Sequence, residues 1–117
     1  MPIQFADFPL SPRGDKFMGE KVVGAAPQPY TLGDMCIAAL GNPVDWDRAE
    51  TQDQMGFKKK LARHDLAGRI AEAEKAMQPM ELDSTELAML VQRVGGFWMN
   101  ALMAGAAIKM LDPAAKA

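Results

Sequence analysis

Residues 83–111 read DSTELAMLVQRVGGFWMNALMAGAAIKML and contain the longest apolar run of the chain. Asp83 followed by Glu86 is typical of a capping box, in which the Asp side chain accepts from a first-turn N–H and the Glu side chain accepts from the N–H of the cap residue. We therefore predict that a helix begins at Asp83. Asp112-Pro113 predicts the end of the helical stretch, because the residue before a proline avoids the helical region.

Gly95-Gly96 interrupts this stretch. Two glycines cost a helix interior about 2 kcal/mol relative to alanine. They could end the first helix, kink a continuous one, or let another backbone approach closely. Helical periodicity resumes at Phe97, and we expect it to continue to Leu111.

Residues 97–111 are apolar on nearly every side, with Asn100 and Lys109 as the polar exceptions. A helix that is apolar all round has to be buried all round. It is then either a central core helix or a helix with one face covered by another protein chain. The uncharged run at residues 94–108 is shorter than the roughly 20 residues that a bilayer requires, so we expect no membrane span.

The composition of the 117-residue chain is that of one globular domain, with 49% hydrophobic residues and a net charge of −2. This charge gives no general attraction to nucleic acid or acidic lipid. Cys36 is the only cysteine and cannot form an internal disulfide. Together with the lack of a signal peptide at the N-terminus, this predicts a cytoplasmic protein.

Residues 1–30 are rich in proline. A long helix is excluded there because each proline removes a backbone donor and fixes φ. We predict an extended N-terminal arm, within which residues 3–5 and 21–23 pair as a short hairpin around a turn at residues 13–15. The arm either packs its aromatic side chains on the helices or drapes over a neighbouring subunit or target. The prolines are Pro2, Pro9, Pro12, Pro27 and Pro29.

Helix signals recur after the arm. Thr31 followed by Asp34 predicts a helix start, and Gly41-Asn42-Pro43 predicts its end. Apolar spacing predicts a long helix over residues 51–77 that ends before Pro79. The sequence therefore predicts an all-α domain of three or four helices over residues 31–112, followed by a short tail at 113–117.

The sequence contains no recognisable catalytic, cofactor-binding or metal-binding motif. One histidine, His64, and one cysteine cannot form a usual zinc site. Cys36 lies on the apolar face of its helix, far from His64 in the sequence, and is predicted to be an inert buried thiol. We therefore expect a protein that is not an enzyme and needs no cofactor.

Exposed aromatic and apolar side chains are the candidates for partner binding. Trp46, between two aspartates, is either an interface anchor or a lid on the core. The basic cluster at residues 58–60 has no interleaved aromatic residues, which favours a solvated helix face over a nucleic-acid site. The predicted partner-binding residues are Trp46, Phe97, Trp98, Leu102 and Met103.

Five short segments occur in a characteristic order: YTLGD at residues 30–34, AAL at 38–40, FKKKLA at 57–62, LAGRI at 66–70 and ELDSTE at 81–86. In this order the chain resembles small proteins encoded by tailed bacteriophages and prophages, over roughly residues 28–105. The proline-rich arm and the methionine-rich end depart from that pattern. The resemblance implies a phage origin and a role exerted by binding, with no catalytic residues to carry over.

These observations together predict a non-enzymatic phage-type protein that acts through protein–protein contacts, such as an inhibitor or modulator of a host factor in the bacterial cytosol. The alternative is a structural or assembly component of a virion, in which the arm and the last helix make contacts between subunits. A nucleic-acid-binding regulator comes third.

Overall fold

A computed structural model describes residues 2–21, 24–42 and 56–113. Over these ranges the chain forms four helices and one two-stranded sheet. The predicted, mostly helical fold is confirmed, whereas the strands show that the chain is not all-α. The elements are β1 Met18–Gly19, β2 Gln28–Pro29, α1 Leu32–Gly41, α2 Gly56–Ala76, α3 Ser84–Phe97 and α4 Ala101–Leu111.

Helix α1 lies at the centre and contacts α2, α3 and α4. Its start is the predicted capping box: the Thr31 hydroxyl oxygen accepts from the Asp34 N–H at 3.0 Å, and Asp34 Oδ2 accepts from the Thr31 N–H at 3.0 Å. The helix ends at Gly41, as predicted. The fully buried side chains of α1 include Leu32, Met35, Cys36 and Ala39.

The N-terminal segment is part of the core. Phe5 is fully buried, and the Phe5 carbonyl accepts from the Gly33 N–H at 2.8 Å. The Asp7 carbonyl accepts from the Leu32 N–H at 2.8 Å. Both amides are at the start of α1, where a helix has no internal acceptor for them. Residues 2–10 therefore pack against the N-terminal end of α1, and an extended arm is not confirmed.

The predicted hairpin between residues 3–5 and 21–23 is not confirmed. Ile3 instead exchanges two backbone hydrogen bonds with Met80, at 2.8 and 2.9 Å. The antiparallel sheet pairs Met18 with Pro29. The turn at residues 13–15 is present, since the Ser11 N–H donates to the Asp15 carbonyl at 2.8 Å. Residues 22–23 lie outside the described ranges.

Helix α2 runs without a break from Gly56 to Ala76. The preceding part of the predicted helix, residues 51–55, lies outside the described ranges. Helix α2 is terminated by Met77, which has a φ of 53°. The Gln78 N–H donates to the Ala73 carbonyl and the Met77 N–H to the Glu74 carbonyl, each at 3.0 Å. This is the hydrogen-bond pattern of a Schellman motif.

Gly33 is required by the close approach of α2 to the start of α1. A Cβ at this position would lie 2.3 Å from Glu74 Oε2 and 3.2 Å from the Phe5 carbonyl oxygen. A shift of the Glu74 carboxylate would disturb the hydrogen bond that it accepts from the Thr31 hydroxyl. A side chain at residue 33 therefore fits only if Glu74 moves away from the first turn of α1.

We expect Gly33→Ala to lower the free energy of unfolding by about 2 kcal/mol, the usual cost of overpacking. Gly68→Ala is the matched control, since its Cβ would meet nothing within 4 Å on an exposed part of α2. That change should raise the free energy of unfolding by about 1 kcal/mol through helix propensity. Urea unfolding followed by circular dichroism measures both. Equal effects of the two changes would contradict the crowding at Gly33.

Helix α3 begins with the predicted capping box at Asp83, whose Oδ1 accepts from the Glu86 N–H at 2.7 Å. It continues through Gly95-Gly96 to Phe97, so the glycines do not end it. Residues 98–100 are not helical and separate α3 from α4. The Asn100 side chain caps the start of α4. Its Oδ1 accepts from the N–H groups of Leu102 and Met103 at 2.9 and 3.2 Å.

The predicted single helix over residues 97–111 is therefore wrong at its start, although it ends at Leu111 as expected. Helix α4 also buries one face only, formed by Ala104, Ala107 and Leu111. Leu102 and Lys109 are exposed on its other side. Among the described helices, none has both the length and the apolar character needed to cross a bilayer.

Candidate functional site

The turn between α3 and α4 is held against α1 by Trp98. The Trp98 Nε1–H donates to the Met35 carbonyl at 3.0 Å. Its ring makes edge contacts with Tyr30 (centroids 5.5 Å apart, planes at 62°) and with Phe97 (5.2 Å, 87°). Trp98 is thus a half-buried support of the turn rather than a freely projecting anchor.

The same turn presents apolar side chains to solvent. Met99 is 96% exposed and Leu102 is 56% exposed, with the half-buried Met103 next to them in the first turn of α4. We call Met99, Leu102 and Met103 the apolar patch. Two further strongly exposed apolar side chains among those described on the helical part, Leu61 and Met77, lie on α2 and at its end.

The structure brings four of the five predicted partner-binding residues to one place. Phe97 and Trp98 are half-buried and directly precede Met99 in the chain, and Leu102 and Met103 belong to the patch. Trp46 lies outside the described residues. Sequence reasoning missed Met99, the most exposed of these side chains. Asn100 was the signal that could have found it, because asparagine is a preferred N-cap and would have predicted a turn before it.

An aromatic groove of about 510 Å³ lies on the α1 side of Trp98. Tyr30 approaches β1 closely there, since a Cβ on Gly19 would lie 2.1 Å from the Tyr30 hydroxyl oxygen. Sequence reasoning did not single out Tyr30. The groove is lined by Glu20, Lys21, Tyr30, Asp34, Ile37, Ala38, Phe97 and Trp98.

Two acidic side chains, Glu20 and Asp34, and one basic side chain, Lys21, line the aromatic groove. Lys21 Nζ lies 2.5 Å from Asp34 Oδ2, which also accepts from the Thr31 N–H. This pair leaves little net charge. The exposed Glu20 carboxylate has no ion pair with any described residue. The aromatic groove therefore carries a net negative charge beside aromatic rings.

A second groove of about 600 Å³ lies between the N-terminal segment and α4. Lys16 Nζ lies 4.0 Å from the centroid of the Phe8 ring, which is cation–π geometry. Lys109 and Asp7 also line the groove, so its charges are mixed.

The Cys36 thiol is buried in the core of the described residues. Burial, and to a lesser extent the Glu74 carboxylate, raises the pKa of Cys36 far above its usual range. The thiol therefore stays protonated and is a poor nucleophile, as the sequence predicts. The described residues also contain no cluster of three or more histidine, cysteine or acidic side chains that could hold a metal ion.

We expect a thiol reagent to label Cys36 at least about a thousandfold more slowly in the folded protein than in urea, because labelling requires an opening of the core. Following the release of the reagent's chromophore gives both rates. Rapid labelling of the folded protein at neutral pH would contradict an inert, buried thiol.

The basic cluster at residues 58–60 is exposed on α2. His64 Nδ1 lies 3.7 Å from Asp65 Oδ1, and both side chains are open to solvent. Such exposed pairs contribute little to stability. This region is a solvated helix face of mixed charge.

Comparison of the chain with protein-family models, with curated proteins and with solved structures gives no match. The resemblance to phage-encoded proteins therefore stays a prediction, and a proposal of function depends on the surfaces described above.

Proposed function

We propose that this chain is a non-enzymatic, phage-type protein that modulates a host factor by binding it through the apolar patch. The observation that carries the proposal is the exposure of Met99, at 96%, beside Leu102, at 56%. Singly scattered exposed apolar residues are normal on a soluble protein, whereas contiguous exposed apolar surface is typical of interaction sites. Methionine adapts its shape to a partner and is common on such surfaces.

The turn that carries the apolar patch is fixed before any partner arrives. Asn100 caps α4 with two hydrogen bonds, and the Trp98 indole is bonded to the Met35 carbonyl. A partner that binds a preorganised surface avoids the entropy cost of ordering a loop. The patch therefore supports binding better than an equally apolar flexible segment would.

The proposal is tested by capture from a bacterial lysate with two matched double variants. Met99→Ser with Leu102→Ser removes the patch. Leu61→Ser with Met77→Ser removes the same residue types from α2 and its end, where they are 55% and 73% exposed. We expect the first pair to reduce stoichiometric capture of a partner at least tenfold and the second pair to leave it unchanged. Equal capture by both would contradict the proposal.

Self-association through the same patch is the outcome that would favour a virion component instead. Residues 2–10 are engaged by the chain's own helices, with Phe5 fully buried, so they do not support the draping arm that this alternative uses. Light scattering after size exclusion, over a range of concentrations, distinguishes the two. The proposal predicts a small, stable species, and a ring-sized assembly would contradict it.

A further inference from the structure

We infer that the aromatic groove receives an arginine side chain of the protein partner, an inference that rests on the proposed function and deepens it, because the groove residues Phe97 and Trp98 directly precede Met99 in the chain. Trp98 and Phe97 belong to the turn that presents Met99, and both also line the groove. A partner seated on the patch would therefore have the groove within reach of a long side chain.

Three aromatic rings, those of Tyr30, Phe97 and Trp98, line the aromatic groove. Trp98 meets Tyr30 at 62° and Phe97 at 87°, so the three rings form walls at steep angles rather than one flat stack. The faces of aromatic rings attract cations, and tryptophan does so most strongly. An apolar ligand could contact the same rings, so the charge of the groove determines whether an apolar ligand or a cation is preferred.

Charge favours a cationic occupant. The Lys21 ammonium is neutralised by Asp34 at 2.5 Å. The Glu20 carboxylate at the rim remains without an ion pair among the described residues. In the second groove the unpaired charges are mixed instead, with Lys16, Lys109 and Asp7 in the lining. The aromatic groove therefore combines aromatic walls with uncompensated negative charge.

Arginine fits this combination better than lysine. Its planar guanidinium can stack on an aromatic face while two N–H groups donate to one carboxylate. Lysine presents a compact, strongly hydrated charge that gains less from a ring.

The test is a titration of the full chain with two capped tripeptides, acetyl-Gly-Arg-Gly-amide and acetyl-Gly-Gln-Gly-amide. The NMR signal of the Trp98 Nε1–H reports binding, and Trp46→Phe assigns it because the chain has two tryptophans. We expect a saturable shift with the arginine peptide, at a millimolar dissociation constant, and at least a fivefold weaker response to the glutamine peptide.

Glu20→Gln should weaken binding of the arginine peptide at least fivefold, while Glu81→Gln, an exposed carboxylate before α3, should leave it unchanged. Equal shifts with both peptides, or no effect of Glu20→Gln, would overturn the inference. The titration uses no partner, so its failure leaves the apolar patch standing. Failure of the Met99 and Leu102 variants to reduce capture would in turn leave the aromatic groove's preference for arginine standing.

Discussion

Replacing Phe5 with alanine should lower the free energy of unfolding by about 3–5 kcal/mol, the usual range for a fully buried phenylalanine. Phe5 has no exposed surface, so its removal leaves a cavity among the helices. Its carbonyl also accepts from the Gly33 N–H, so a shift of this segment would disturb the start of α1. In a chain of this size the loss should lower the melting temperature by about 15 °C.

Phe8→Ala is the matched control for Phe5. The two residues are three positions apart, but Phe8 is half-buried at the edge of the second groove. Its replacement should cost less than about 2 kcal/mol, because less apolar area is removed from contact. Urea unfolding of both variants measures the difference. If Phe5→Ala were as mild as Phe8→Ala, the N-terminal segment would be an arm laid on the surface and not part of the core.

Replacing Arg93 with alanine should lower the free energy of unfolding by about 3–4 kcal/mol, because carbonyls at the end of α1 lose a charged donor. Arg93 is only 3% exposed. Its Nε donates to the Ala39 carbonyl at 3.0 Å and its Nη2 to the Asn42 carbonyl at 2.8 Å. A cation at the C-terminal end of a helix is also favoured by the helix dipole.

Arg69→Ala is the control for Arg93, because Arg69 makes a 2.5 Å ion pair with Glu86 but keeps half of its side chain in solvent. This change should cost less than about 1 kcal/mol and should cost less still in high salt. Arg93→Lys should recover only part of the loss, since one ammonium replaces a planar fork of donors. A mild effect of Arg93→Ala, within the range of Arg69→Ala, would show that α1 does not need this cap.

The starts of α1 and α3 could be predicted from the sequence because their signals are local. Thr31 with Asp34 and Asp83 with Glu86 satisfy backbone amides within three residues, so the residue types alone define the geometry. The end of α4 at Leu111 follows in the same way from the nearby Pro113. The end of α1 at Gly41 also depends on the rest of the fold, because Arg93 donates to carbonyls there.

The pairing of the N-terminal segment could not be predicted, because its partner is distant in the sequence. Ile3 meets Met80 in an isolated bridge, and no alternation of apolar and polar residues indicates so short a contact. The turn at residues 98–100 was missed for a different reason. Continuous apolar periodicity outweighed the one polar residue, Asn100, whose cap divides the helix.

The candidate site was predictable in its location and not in its details. The excess of apolar residues at 97–111 predicted Leu102 and Met103 as partner-binding residues, and both belong to the apolar patch. The exposure of Met99 depends on the turn, and the aromatic groove depends on Tyr30 meeting Trp98 from another part of the chain. Which side of an aromatic residue is covered is a tertiary property that sequence spacing does not contain.

The most direct measurement is photo-crosslinking in bacterial cells with a benzophenone amino acid placed at residue 99 or, as the control, at residue 77. Both positions hold exposed methionines, at 96% and 73%. The proposed function predicts one discrete adduct with another protein from residue 99 and none from residue 77. No adduct from residue 99, or the same adducts from both positions, would contradict binding through the apolar patch.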